Sequence, residues 1–386
     1  MIPLAVEFKQ SRRKFLVSGI ALAALAGCQT GPRTPEPPPT TQVPTPTPTG
    51  PIVEADRLRV AVLAPLSGDN AAVGNSIANA AKMALLDTNN SSIRLSIYDT
   101  AASGGANKAV NDALAAGNGL ILGPLLSENV RQVAPAARNR GVPVLAFSND
   151  EEVAGDGVYI MGFTPTQSIE SSVRYARARG ARDFAALVPS GDYGQRAAQA
   201  FLRTVNDVNG NARAIETFDR SRAGIDAAVS RVIARQAVDA LLIADSGRVA
   251  SYIAPKIQTG VSLMGTELWA AEDDLGQTSA LRGAIYSAVP SARFESLERR
   301  YRSRYGSSPF RLASLGYDGM LLAIRASQTW RPGERFPSNL LRDRGGFEGV
   351  DGIFRFNRDG IAERALEVRR VTPGGHEVVQ AATSAF

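Results

Sequence analysis

Short apolar runs alternate with helix-spaced apolar positions along residues 57–264, and that alternation constrains the fold more than any other feature of this sequence. Leu58-Arg59-Val60-Ala61-Val62-Leu63-Ala64 is a short apolar run stopped by Pro65, the pattern of a strand buried on both faces. Ile77, Ala80, Ala81, Ala84 and Leu85 follow at helical spacing, and Ile93, Leu95 and Ile97 then alternate with polar residues as a second strand. The cycle continues through Leu120-Ile121-Leu122 and Val142 to Phe147. Beyond Pro165 it resumes with strands at 184–188, 213–218, 240–244 and 261–264, each separated by a helical segment. Such alternation predicts an α/β fold of parallel sheets covered by helices on both faces, joined by right-handed crossovers. So many strands divide more readily into two sheets than one. The sequence therefore predicts two doubly wound parallel-sheet lobes with a hinge and a cleft. Lobe 1 is expected at 57–163 and 290–345, and lobe 2 at 164–289 and 346–386, with crossings near Phe163-Thr164-Pro165, Val289-Pro290 and Gly345-Gly346.

The residues before this body have a different character. Ser11-Arg12-Arg13-Lys14-Phe15-Leu16 opens an apolar run that ends near Ala26. The run is shorter than the roughly 20 apolar residues a spanning helix needs. A basic start, a short apolar centre and small residues make residues 1–27 a signal peptide. Its paired arginines resemble the twin-arginine export signal, and an ordinary secretory signal fits the same residues. Leu25-Ala26-Gly27-Cys28 resembles a lipobox, which implies that Cys28, the one cysteine of the 386 residues, is lipidated and becomes the first residue of the mature chain. Residues 28–56 follow as a tether, with nine prolines between Pro32 and Pro51. This composition cannot bury enough apolar surface to fold. Fully extended at about 3.1 Å per residue, it reaches on the order of 85 Å. The expected location is the periplasmic face of the outer membrane, lipid-anchored; Gln29 at the second mature position resembles the outer-membrane sorting pattern.

Composition then narrows the chemistry. One His and one Cys leave almost no material for a His/Cys metal site, so no metal and no cofactor is expected. There is no GxxxxGK[ST] phosphate loop, HExxH or GxSxG elbow, and no catalytic residue is assigned. The chain is expected not to be an enzyme. The net charge is +6, of which residues 57–386 hold +5, almost all of the positive charge there as arginine. Arginine forks suit carboxylates and phosphates, and solvated faces of biased composition account for the same count. No dense basic run with interleaved aromatics appears, so nucleic acid is not an expected partner.

In a doubly wound lobe the loops at the carboxyl ends of the strands carry the ligand. Those loops hold Ser67-Gly68, Ser127, Ser148-Asn149, Asp192-Tyr193-Gly194 and Thr266-Glu267. They are small and polar and suit hydrogen bonds to a small zwitterion; Ser127 and Ser148 equally suit caps and turns.

Leu66-Ser67-Gly68 with Ala71, Ala72 and Gly74, then Gly123-Pro124-Leu125, Pro143-Val144-Leu145, Asp192-Tyr193-Gly194 and Tyr317-Asp318-Gly319, resemble the type I periplasmic binding proteins, in their leucine/isoleucine/valine-binding branch. The likeness spans 57–386. It implies a ligand carboxylate held at Ser127 and Ser148, and an ammonium group at Tyr193 and Glu267. Val73 departs from the pattern, standing where many of these binders carry an aromatic. A second likeness lies within the same fold. Ile97-Tyr98-Asp99-Thr100, Gly123-Pro124-Leu125-Leu126, Asn129-Val130 and Tyr286-Ser287 with Pro290 resemble the C-terminal domain of the outer-membrane lipoproteins that activate penicillin-binding proteins. That resemblance implies a non-enzymatic regulator of peptidoglycan synthesis whose partner is a penicillin-binding protein. The first implies the substrate-binding protein of an ABC transporter, with a permease as partner and a branched-chain amino acid as ligand. The helical-repeat domain of the enteric activators has no counterpart in this sequence, where a tether precedes the fold.

Overall fold

The computed structural model describes residues 57–234 and 238–386. The expected signal peptide, Cys28 lipidation site and tether lie outside the described residues.

The first sheet is built from β1 (Leu58–Ala64), β2 (Ile93–Asp99), β3 (Leu120–Leu122), β4 (Val144–Ala146) and β5 (Val158–Ile160). All pair in parallel, in the order β2-β1-β3-β4-β5. The crossovers are α1 (Ala71–Asp87), α2 (Gly105–Ala115) and α3 (Ser127–Arg140). The second sheet repeats this plan with β6 (Asp183–Pro189), β7 (Asn211–Phe218), β8 (Ala240–Ile243), β9 (Ser262–Gly265) and β10 (Ile285–Ala288). Its parallel part runs β7-β6-β8-β9-β10, the same order of first to fifth strand. Here α4 (Pro165–Ala178) leads into β6, and α5 (Asp192–Asp207), α6 (Arg222–Ala234) and α7 (Gly247–Ile253) are the crossovers. Two antiparallel strands, β14 (Glu367–Thr372) and β15 (Gly375–Gln380), extend the sheet beyond β10.

The repetition reaches individual residues. β1 ends in Pro65-Leu66-Ser67-Gly68 and β6 in Pro189-Ser190-Gly191. Each is followed by a helix with a glycine near its start. A Cβ on Gly74 would lie 1.8 Å from the Pro65 carbonyl oxygen, and one on Gly194 would lie 1.6 Å from that of Pro189. Only a residue without Cβ lets the first crossover helix of each lobe approach its strand so closely.

Each sheet is covered on both faces. In the first lobe one core holds Ala61, Val110, Ile121 and Val133, and the other packs Val60, Val62 and Leu122 under α1. The second lobe has its own two cores, around Leu187 and Trp269 and around Phe184, Phe201 and Leu242. After β10 the chain returns to the first lobe as α8 (Ala292–Tyr305) and α9 (Ala313–Ala326). α9 is buried nearly all round, and Gly316 brings it against the Ile77 carbonyl of α1.

The third crossing is not at Gly345-Gly346. A small antiparallel sheet follows there, of β11 (Phe347–Gly349), β12 (Gly352–Phe356) and β13 (Ala362–Arg364). Phe347 and Phe354 stack, and Phe356 meets both edge-on, inside the first lobe's core. The chain changes lobe between Arg364 and Glu367, where β14 joins β10. The glycine pair is the turn that opens a hairpin, with Gly346 at φ +72°.

Beneath these strands lies a buried ionic cluster. Asp318 on α9 accepts a hydrogen bond from the Val350 amide at 2.7 Å, and a Cβ on Gly349 would fall 2.3 Å from its Oδ2. Burial, reinforced by the Asp351 charge, pushes its carboxyl well above the usual range. Arg364 sits beside both acids, donates to the Met161 carbonyl at 2.5 Å and faces Phe163 and Phe354. Tyr317-Asp318-Gly319 thus belongs to the packing of the first lobe.

Candidate functional site

A cavity of about 430 Å³ lies between the lobes, at the carboxyl ends of the strands. The first lobe contributes Val73, Leu125, Phe147, Asn149 and Phe163 to its wall, together with Arg311 from the segment before α9. The second contributes Leu268, Ala271, Ala288 and Glu267. Most of this wall is apolar. Its polar members are Asn70, Asn149, Glu267 and Arg311.

Glu267 stands one residue beyond Thr266, just past the end of β9. Its amide donates to Ser168 Oγ on α4 at 2.8 Å, which orients the turn. Tyr193, the second residue of α5, meets it: the phenol hydroxyl donates to Glu267 Oε1 at 3.3 Å and lies 3.1 Å from Thr266 Oγ1. Glu267 Oε2 is shielded from solvent and has no partner. Burial therefore pushes the carboxyl up to about 7, with the bonds from Ser168 and Tyr193 opposing. Burial and the adjacent Glu267 charge hold the Tyr193 phenol well above its ordinary value. The structure brings these two expected residues together, and of the four expected ligand residues Glu267 alone lines the cavity.

Ser127 and Ser148 lie outside that lining. Ser127 is the first residue of α3, and its hydroxyl faces Arg131 Nη1 at 3.4 Å. Ser148 is buried, and its Oγ accepts from the Asp150 amide at 3.1 Å. Asp150, only 1% exposed, takes Arg131 Nη2 at 2.9 Å and Arg196 Nη1 at 3.6 Å, while Oδ1 accepts from the Glu152 amide. The two serines are thus linked through an Arg131–Asp150 pair, which Arg196 of α5 joins from the other lobe. Their hydroxyls bond to the protein's own groups.

Arg311 is the polar wall residue that sequence patterns do not expose. Its guanidinium pairs with the buried Asp351 at 2.5 Å and lies 4.0 Å from the Phe294 ring centroid. The residue falls in an aperiodic stretch between two helices, and its partner is forty residues away in sequence. Asn149 was within reach of sequence reasoning, because it adjoins Ser148 in a strand-end loop.

Among the described residues no helix is long and apolar enough to cross a membrane. The periplasmic binding protein family model matches residues 57–376. An uncharacterised protein of Rickettsia prowazekii (strain Madrid E) is 26% identical over 179 residues, which are 46% of this chain and 48% of that protein. The penicillin-binding protein activator LpoA of Pasteurella multocida (strain Pm70) is 32% identical over 149 residues, 37% of this chain and 25% of that protein. The matched regions thus span about half and a quarter of these relatives. Among solved structures, the leucine-binding protein LivK of Thermotoga maritima superposes with a TM-score of 0.64 at 20% identity, over 84% of this chain and 99% of that one. The C-domain of LpoA from Haemophilus influenzae, described as a regulator of PBP1A, superposes with a TM-score of 0.66 at 21% identity, over 83% of this chain and 99% of that one. LivK is described as a binding protein and the two LpoA proteins as an activator and a regulator, and these likenesses point to the cell envelope. With a family model covering most of its length and the two-lobed frame to match, the chain belongs to the periplasmic binding protein family.

Proposed function

We propose that this chain is a non-enzymatic envelope lipoprotein that activates a penicillin-binding protein and so regulates peptidoglycan synthesis from the periplasmic face of the outer membrane. The observation that carries this reading is the internal use of Ser127 and Ser148. A free amino acid entering the cleft would find these oxygens already accepting from Arg131 and from the Asp150 amide, and would bring its carboxylate beside the buried Asp150 carboxylate of like charge. A regulator that works by contacting a synthase needs no such ligand. The local identity to an LpoA, and the match to an LpoA C-domain, support the same partner class. The chain, purified and added to the penicillin-binding proteins of its own cell, should co-purify with one of them and speed its glycan polymerisation or cross-linking. Failure to bind or stimulate any of them would remove this reading.

One observation favours a second reading, the substrate-binding protein of an ABC transporter that passes an amino acid to a permease. The interlobe cavity is apolar-walled and is lined in part by Glu267, whose shielded Oε2 lacks a partner. A ligand ammonium at Glu267 would satisfy it, and lobe closure about the three crossings would then bury the ligand. A thermal-shift panel of amino acids and cell-wall fragments tests this. A ligand at about 100 times its dissociation constant adds roughly 2.7 kcal/mol. Glu267→Ala should weaken an ammonium-bearing ligand by roughly 2–5 kcal/mol. A flat panel rejects the receptor.

A further inference from the structure

The opposite end of the first lobe carries a different kind of concavity, of about 300 Å³, at the amino ends of β1, β3 and β4. Arg57, Arg59, Arg140, Arg331 and Arg335 converge on it, and Glu334 is the single carboxylate in its lining. Elsewhere many arginines are answered by a carboxylate, as Arg213 is by Asp183 and Arg325 by Asp343. None of these five forms an ion pair among the described residues. Like charges gather in a concave site at an electrostatic cost, which an anion would relieve.

The site is also built to hold its shape. Trp330 packs edge-on against Phe336 at 5.2 Å, and its indole nitrogen donates to the Glu334 carbonyl at 3.0 Å. That bond closes the loop bearing Arg331 and Arg335. Gly119 makes room for the indole, since a Cβ there would lie 2.6 Å from the ring. Arg59 is fixed by a 2.6 Å bond from Nη1 to the Ala116 carbonyl. Arg57 Nε is buried with no acceptor.

We infer that this arginine cradle is a binding site for a phosphate-type oxyanion. Guanidinium forks match phosphate oxygens in pairs, and a cavity of this size holds one or two phosphate groups. Arg57 stands where the Pro-rich segment joins the globular body, so two sources supply the same chemistry: a soluble phosphate compound, and the anionic headgroup of a lipid.

The test uses the mature chain, residues 28–386, carrying Cys28→Ala, so that neither an acyl chain nor the apolar signal segment contributes to membrane binding. Its probes are inorganic pyrophosphate, followed by calorimetry, and vesicles of phosphatidylglycerol or of phosphatidylcholine alone, followed by co-sedimentation. Arg331→Ala with Arg335→Ala removes two charges from the cradle. Arg299→Ala with Arg304→Ala removes two exposed charges from α8 and is the charge-matched control. Saturable pyrophosphate binding that weakens about tenfold or more in the cradle variant, and not in the control, supports a soluble source. Sedimentation with phosphatidylglycerol but not phosphatidylcholine, lost in the cradle variant alone, supports the headgroup. Equal weakening in both variants, or no binding of either probe, overturns the proposal. Matching melting temperatures exclude unfolding as the cause of a loss.

Discussion

Glu267→Gln isolates the one titratable group that the cleft has altered most. In the folded chain its carboxyl sits at about 7 instead of 4.5, because burial disfavours the ionised form. Holding that form ionised in the folded state therefore costs roughly 3 kcal/mol, at 1.36 kcal/mol per pH unit. The sign follows from proton counts. Between 4.5 and about 7 the folded chain keeps a proton that the unfolded chain has lost, so stability falls as pH rises through that window. Below 4.5 both states are protonated and the penalty is absent; above about 7 it is complete. Glutamine has the same shape, never ionises, and leaves its amide oxygen to accept from Tyr193. Urea unfolding of both proteins across this range should give nearly equal stabilities at the acid end. The variant should gain through the window and level off roughly 3 kcal/mol above wild type at the alkaline end. Taking the difference cancels the buried Asp318 and the depressed His376, which titrate in both proteins. Parallel profiles would refute the account, since they would mean that Glu267 ionises in the folded chain as readily as in water.

Three other perturbations address the frame, the ionic cluster and the anchor. Gly194→Ala sets a methyl group against the Pro189 carbonyl, backbone against backbone, and should cost about 2–4 kcal/mol despite the helix propensity of alanine. In Gly224→Ala the obstacle is the Asp219 side chain, which can turn aside, so its thermal midpoint should move little; equal midpoints for the two variants would contradict the close approach of α5 to β6. Arg364→Met removes the buried cation between Asp318 and Asp351, leaving only the Arg311 pair to Asp351, and should cost about 3–5 kcal/mol in chemical denaturation, while a loss below about 1 kcal/mol would show that the cluster is not held by the Arg364 charge. Cys28→Ala should move the chain from the membrane fraction to the soluble fraction of cells, and a variant that stays in the membrane would rule out attachment through that thiol.

The parts of the fold visible in the sequence are those whose burial leaves a period. β1 beyond Arg59 and β6 beyond Asp183 are unbroken apolar runs because parallel strands are covered on both faces. α5 shows its amphipathic face clearly, with Ala197, Ala200, Phe201 and Thr204 turned inward. α9 shows no such face, because it is buried between α1 and the sheet and is apolar almost all round. β11 to β13 are short and were masked by Gly345-Gly346, a turn that resembles a linker in composition. The pairing of Tyr193 with Glu267 was foreseeable from two strand-end loops. The fate of Ser148 was not, since it depends on Asp150 two residues later and on Arg131 and Arg196 arriving from separate helices.

The two lobes share one frame, down to the proline–glycine contact that sets each first crossover helix, yet their strand-end loops have diverged. In the first lobe Ser127 and Ser148 are tied into an Arg131–Asp150 pair, and the nearby Arg311 is neutralised by Asp351. In the second lobe Tyr193, Thr266 and Glu267 converge on a carboxyl that ends at the cavity with one oxygen unpartnered. Polar demand in the cleft is therefore one-sided. A free amino acid needs both ends held, and its carboxylate would come up beside the buried Asp150 carboxylate, which already pairs with the half-exposed Arg131. An amine with an apolar body, or a partner's lysine entering the cleft, would make no such demand. Glu267→Gln should weaken either of these while leaving a synthase contact elsewhere on the surface intact. That contrast separates a cleft that binds from a fold kept for its outer face.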